Sequence, residues 1–453
     1  MVMKKVFIKT LGCKVNSYDS NALANQFKER GYAITDSQLD SDISIINSCS
    51  VTQNAEKDAR YLLRRFKRDN PDSKRIITGC YAQIDSANLA ELDEVDFVVP
   101  NEAKESLVEI IDARDADGTF DKKLPTGLKP VKSNRQSHFK SSLTLFDKSE
   151  SQAKTRVFMK IQDGCNGFCS YCQIPYARGA SRSVDPRKVV KEVKRLSDEG
   201  VKEIVFTGIH IGDYGKDLDH FNSHNGLPFV SILKDILKST SLERIRISSL
   251  EPAEFTEDLA EIMQENSIFC DHLHFPLQSG SDRILKLMNR QYDKARYFQS
   301  IETARRIFKN PFLGCDIIPG FPGETDTDFE ETLEFIKKCD LTAVHVFPYS
   351  KRPNTAAIRM QNHVPQEVIK ERAQILRDYS SERLSNFYKM HIGKEMEVLW
   401  ESDRDKSGRL LGKTSNYLNV AAPENSFVEK GMITKVAIKG LLGNEKLLGT
   451  PSL

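Results

Sequence analysis

Tryptophan occurs once in the 453 residues, and net charge is almost absent, at +2. No apolar run approaches the roughly 20 residues a membrane-spanning helix needs, so the chain reads as a protein without membrane contact. Near-neutral charge excludes a uniformly basic or acidic surface, and any hold on a polyanion falls to local patches. The opening MVMKKVFIKTLGC resembles a lipoprotein leader, with basic residues, an apolar stretch and Leu-Gly-Cys. Lys9 interrupts the apolar part, short of the ~7–15 residues of a signal core. A cytoplasmic location is expected, in which the nine cysteines are reduced and clustered thiols bind metal or do chemistry.

The most informative absence lies in the stretch DGCNGFCSYCQIPYARG. Cys165, Cys169 and Cys172 fall within eight residues, with no fourth cysteine or histidine nearby. A structural zinc site wants four ligands, and most iron–sulfur clusters are held by four thiolates. One coordination position is left open, or is completed by a remote histidine as in a zinc knuckle.

What is present falls into three parts and a connector. Residues 1–116 alternate strand and helix patterns: strands KVFIKTLG, DISIINS, KRIITG and VDFVVP, with amphipathic helices between them. That order predicts a doubly wound parallel α/β domain. Cys13, Cys49 and Cys80 follow its first three strands, at the rim where such sheets bind ligands, and together suggest a metal site. Residues 117–150 lack periodicity, and Lys122–Lys140 contains no acidic residue, as in a solvated basic linker. Residues 151–382 repeat a strand-then-helix rhythm through RVFMKIQDG, KEIVFTG, ERIRISSLEP, HLHFPLQSGS, FLGCDIIPGFPGE and AVHVFPYS. This predicts a full or partial β/α barrel with its active site at the strands' C-terminal ends. Residues 385–453 turn to short strands broken by Gly and Asn, the size of an OB-like antiparallel barrel.

C-x₃-C-x₂-C at the end of the first barrel strand resembles the signature of radical S-adenosylmethionine enzymes. The resemblance implies that the triplet holds a 4Fe–4S cluster whose open iron chelates the cosubstrate. It also implies cosubstrate contacts from Tyr171 and Gly208. Ser249, Gln278 and Ile318 lie at further strand ends and are candidates for the same role, though such residues also serve ordinary turns.

The three parts together resemble the methylthiotransferase family across essentially the whole chain. That resemblance implies a second 4Fe–4S cluster on Cys13, Cys49 and Cys80, and an RNA-binding TRAM domain at the C-terminus. TLGCKVNSYDS, KIQDGCNGFCSYCQIPYARG and FPYSKRPNT resemble the branch acting on threonylcarbamoyladenosine in tRNA. SKRPNT departs from the commoner SPRPGT at Lys351 and Asn354. Related branches act on isopentenyladenosine or on an aspartate of a ribosomal protein; an iron–sulfur RNA-binding protein without catalysis is the contrasting class. The implied reaction puts a methylthio group on carbon 2 of the modified adenine. It uses S-adenosylmethionine as methyl donor and radical source, a reductase or flavodoxin-type electron donor, a sulfur source and the tRNA anticodon stem-loop. No catalytic side chain beyond the cluster ligands is singled out. Arg60 and Arg64, on one face of a helix, are candidate RNA contacts, with a solvated helix face as the alternative. Arg352 is the candidate for the threonyl carboxylate. Trp400 and Tyr417 either stack on bases or fill the small barrel.

Overall fold

The computed structural model describes residues 3–117, 155–218, 227–423, 426–443 and 445–452. The basic stretch Lys122–Lys140 lies outside the described residues. The chain divides into two compact units, and the division does not follow chain order. One unit joins the N-terminal domain to Asp163–Arg182 and Arg352–Thr355, and the other contains Ser183–Lys351 and Ala356–Leu453.

In the first unit, β1 (Lys5–Thr10), β2 (Ala33–Ile34), β3 (Ile43–Ser48), β4 (Lys74–Gly79) and β5 (Phe97–Val98) form one parallel sheet, ordered β2-β1-β3-β4-β5. This is a doubly wound order of the flavodoxin-like kind. The pattern in the sequence yielded four of these strands. The fifth, β2, has only two residues at the sheet edge, too few to show a period. Every residue of β3 is buried, as helices on both faces of a parallel sheet require. Ile45, Ile76 and Phe97 pack with Leu23 and Phe27 of α1 (Lys14–Glu29) on one side. Ile46 and Ile77 pack with Leu63 and Phe66 of α2 (Gln53–Asp69) on the other.

In the second unit, β6 (Arg156–Lys160), β7 (Glu203–Thr207) and β8 (Arg244–Ile247) form a three-stranded parallel sheet. A second consists of β9 (His272–His274), β10 (Phe312–Ile317) and β11 (Ala343–Val346). A parallel bridge between Ile245 and Phe269 connects the two. The strands therefore run in sequence order, a partial β/α barrel with a helix after most of them.

Five further strands close into a barrel in the same unit: β12 (Glu395–Arg404), β13 (Leu410–Thr414), β14 (Asn419–Ala421), β15 (Ile433–Leu441) and β16 (Leu447–Pro451). Their order is β12-β13-β14-β16-β15, antiparallel except for the parallel pair β14–β16. The sequence pattern predicts an antiparallel barrel, but a ring of five strands cannot alternate direction all the way round. Trp400 is fully buried among Val398, Val420, Val436 and Ile438, with Nε1 donating to Thr434 Oγ1 at 2.8 Å. It is a core residue with no face for a base. The same cluster includes Phe312 and Phe387 from the β/α part. Arg246, fully buried and paired with Glu203 at 2.7 Å, donates to the carbonyl of Ser415 at 2.8 Å.

Candidate active site

Register explains how three thiols far apart in sequence meet. Thr10 of β1 pairs with Asn47 of β3, which pairs with Thr78 of β4. Cys13, Cys49 and Cys80 come two or three residues after that line, at the carboxyl edge of three adjacent strands. Cys13 caps the N-terminus of α1, and Cys80 is the first residue of the helix Cys80–Ile84. Gly12 turns the chain with φ +94°, and a Cβ there would lie 2.6 Å from Cys49 Sγ. Only glycine allows that approach. Cys49 and Cys80 are buried while Cys13 is exposed. Burial, then the neighbouring Cys80, pushes the Cys49 thiol up to about 12. Burial also pushes Cys80 up, opposed chiefly by Arg178.

The second trio shares this unit. Gly164, at φ +73°, precedes Cys165, and a Cβ there would meet the Ala180 carbonyl oxygen at 2.0 Å. Cys165 N–H donates to Gly179 O at 3.0 Å, and Cys172 N–H to Cys169 O at 2.9 Å. Backbone N–H groups also point at sulfur: Gly167 to Cys165 at 3.3 Å, Ile174 to Cys172 at 3.4 Å, and Val51 to Cys49 at 3.5 Å. At Cys49 the Val51 N–H opposes the upward push of burial without overcoming it. A position on Gly167 adjoins the sulfurs of both Cys165 and Cys169. None of the six cysteines is in a disulfide. Soft sulfur donors in two groups of three, with backbone N–H groups donating to them, fit iron–sulfur ligation.

A buried charge network, not singled out in the sequence, ties the loop of the second trio to the first. Arg178 is fully buried. Its Nη1 bonds both oxygens of Asp163, at 2.9 and 3.0 Å, and its Nη2 bonds Asn16 Oδ1 at 2.5 Å and Asp19 Oδ2 at 3.3 Å. Lys104 completes the pairing of Asp19 at 2.6 Å. The guanidinium also lies against Cys80 and lowers the cost of ionising it. Composition carries no sign of this network, because its members are scattered from Asn16 to Arg178.

Arg352 is only 5% exposed and pairs with Glu56 Oε1 at 2.7 Å. Thr355 Oγ1 donates to the Arg352 carbonyl at 2.8 Å, and Gln173, next after Cys172, donates to Pro353 O at 2.8 Å. Asn354 has φ +65°, a left-handed conformation that asparagine tolerates better than most residues. The departure from glycine at this position is absorbed there. Arg60 and Arg64 do not form a bare cationic face. Arg60 bonds Tyr81 Oη at 2.5 Å and Asp85 at 3.2 Å, while Arg64 is 3.8 Å from Glu94.

In the second unit, Gly208 follows β7 where a Cβ would stand 2.8 Å from Gln162 Oε1. Ser249 is exposed after β8. Gln278 (φ +68°) accepts from Ile318 N–H at 2.9 Å and donates its own N–H to Asp316 O at 2.7 Å. These two candidates are thus brought together; Gly208 and Ser249 end other strands. Asp316, which sequence reasoning passed over, holds His274 Nε2 at 3.0 Å and His345 Nδ1 at 3.6 Å. The two histidines hold its carboxyl well below the usual carboxylate range despite burial. Cys270, Cys315 and Cys339 are buried.

Residues 159–336 match the Radical SAM superfamily, and residues 5–100 match the uncharacterized protein family UPF0004. The threonylcarbamoyladenosine tRNA methylthiotransferase MtaB of Aquifex aeolicus is 35% identical, over 96% of this chain and 100% of its own length. A tRNA-2-methylthio-N(6)-dimethylallyladenosine synthase of Clostridium botulinum is 34% identical, over 91% of this chain and 90% of its own. Among solved structures, the radical S-adenosylmethionine methyltransferase TsrM of Kitasatospora setae aligns with a TM-score of 0.58 at 13% identity. That alignment covers 78% of this chain and 75% of that one, and it supports the fold. With two cysteine trios and full-length relatives of this kind, the chain belongs to the radical S-adenosylmethionine tRNA methylthiotransferase family.

Proposed function

We propose that the protein adds a methylthio group to carbon 2 of N6-threonylcarbamoyladenosine beside the anticodon of tRNA. The observation that carries this reading is the pair of cysteine trios within one compact unit, in a chain matching a threonylcarbamoyladenosine enzyme over that enzyme's entire length. Cys165, Cys169 and Cys172 would hold one 4Fe–4S cluster and Cys13, Cys49 and Cys80 a second, each leaving one iron without a protein ligand. When bound, the clusters and S-adenosylmethionine supply the radical and methyl-transfer chemistry that an unactivated carbon–hydrogen bond requires.

The chain's own residues bind, orient and exclude water. Backbone N–H groups donate to the sulfurs of Cys165, Cys172 and Cys49, and the Arg178 network places a buried cation against Cys80. Tyr171, Gly208, Ser249, Gln278 and Ile318 are the candidate cosubstrate contacts. The C-terminal barrel would serve as the TRAM module for RNA. Tyr417 packs within the protein as Trp400 does: its ring centroid is 4.5 Å from that of His272, with Arg246 at 5.0 Å and Lys413 at 4.0 Å. The base has to leave its stack to be modified. An external electron donor, a sulfur source and a cytoplasmic setting complete the reading; among the described residues no helix is long and apolar enough to cross a membrane.

Mass spectrometry of tRNA nucleosides tests this. Reconstituted, reduced protein given tRNA bearing threonylcarbamoyladenosine should yield its 2-methylthio derivative. Conversion of the isopentenyl substrate instead would move the protein to the related branch.

A further inference from the structure

Among the described residues, nothing bonds one side of the Arg352 guanidinium. Nη1 is taken by Glu56, while Nε and Nη2 are buried and have no hydrogen-bond partner among the described residues. These two atoms form a single edge of the group, two parallel N–H donors spaced to match the two oxygens of a carboxylate. A buried charged donor left unpaired is unfavourable, and here two lie side by side at a residue 5% exposed. The edge is also held in place. Thr355 bonds the Arg352 carbonyl, and Gln173 bonds Pro353. Glu56 lies in the first turn of α2, the helix that follows Cys49. The edge therefore belongs to a segment tied to the residues just after Cys172 on one side and to the stretch after Cys49 on the other.

We infer that the Nε/Nη2 edge of Arg352 is a carboxylate-binding fork serving the reaction at the two cysteine trios. This rests on the proposed function, in which two reactants carry a carboxylate: the threonyl group of the modified base and the methionine part of S-adenosylmethionine. The shared chemistry is a lone carboxylate removed from water, for which a bidentate arginine is the matched partner. A lysine would keep the charge and the pairing with Glu56 but lose the planar fork.

The experiment measures binding to the reconstituted protein for wild type, Arg352→Lys and Arg352→Gln, with iron content and melting temperature as controls for folding. One arm compares anticodon stem-loops carrying threonylcarbamoyladenosine with its methyl ester, in which the carboxylate is capped. The other compares S-adenosylmethionine with its decarboxylated analogue. Wild type should prefer the free acid by about tenfold or more in one arm, and both variants should lose that preference while binding the capped or decarboxylated partner as wild type does. The arm in which the preference disappears identifies the source of the carboxylate. Preferences unchanged in both arms for both variants, or full preference retained by Arg352→Lys, would overturn the fork. If wild type instead binds the isopentenyl stem-loop best, the substrate reading fails while the cosubstrate arm still reports on the fork.

Discussion

The two cysteine trios solve one problem in opposite ways. Cys165, Cys169 and Cys172 sit in a single loop, half-buried, and converge through local backbone bonds within that loop. Cys13, Cys49 and Cys80, two of them buried, follow three different strands and share one edge only because β1, β3 and β4 are adjacent and in register. The local trio can form as soon as its loop folds. The distributed trio exists only once the sheet is built, and it carries the desolvation of buried thiols and of the Arg178 network beside them. The same donor set therefore carries different energetic risk depending on whether a local loop or the tertiary structure assembles it.

The sharpest way to break the comparison is to remove each trio in turn. Changing Cys165, Cys169 and Cys172 together to Ala should abolish reductive cleavage of S-adenosylmethionine and leave one cluster, read by iron analysis and by methionine release. Two clusters persisting in that variant would refute the assignment. Changing Cys13, Cys49 and Cys80 together to Ala should preserve cleavage and stop methylthio product. Product at wild-type yield would make the N-terminal thiols structural.

Arg178 is where the two trios are joined. Arg178→Met leaves Asp163 and Asp19 without their shared cation, and breaking such a buried pair costs about 3–5 kcal/mol. The expected result is a lower melting temperature and iron lost from the N-terminal trio before the triplet, with Arg178→Lys recovering part of both. Iron lost equally from the two sites would show that the network supports the fold rather than one trio.

The smallest effect is a pH dependence of the metal-free protein. Cys49 is pushed up to about 12 in the folded state, against about 8.5 in an unfolded chain. Between those values the folded state holds a proton that the unfolded state has lost. Stability from this group is therefore complete below about pH 8.5 and is lost as pH rises toward 12. Alkaline urea denaturation should show wild type losing ~1–3 kcal/mol more than Cys49→Ala across that window. Parallel curves would mean that Cys49 is solvated in the metal-free protein.

Much of the site was legible because its signals are local. C-x₃-C-x₂-C declares itself in eight residues, and the Gly-Cys steps at Gly12, Gly79 and Gly164 turn the chain with positive φ. Arg352 was visible as a charge after a strand, but not its pairing with Glu56 nor its empty edge, since Glu56 lies 296 residues away. Arg60 and Arg64 looked cationic because their partners Asp85 and Glu94 are not on the same helix. Trp400 was open between base stacking and core until the barrel closed around it.

Hydrophobic period and cysteine spacing, being properties of short stretches, were enough for four of the five strands of the N-terminal sheet, the barrel character of the other parts and the six thiols, but not for the two-residue β2 or the parallel pair β14–β16. Tertiary structure alone decided which charges are neutralised, which are stranded, and which loops share a unit. Those outcomes depend on desolvation and on contacts between residues hundreds of positions apart, and a buried ion pair has no signature until both partners have left water.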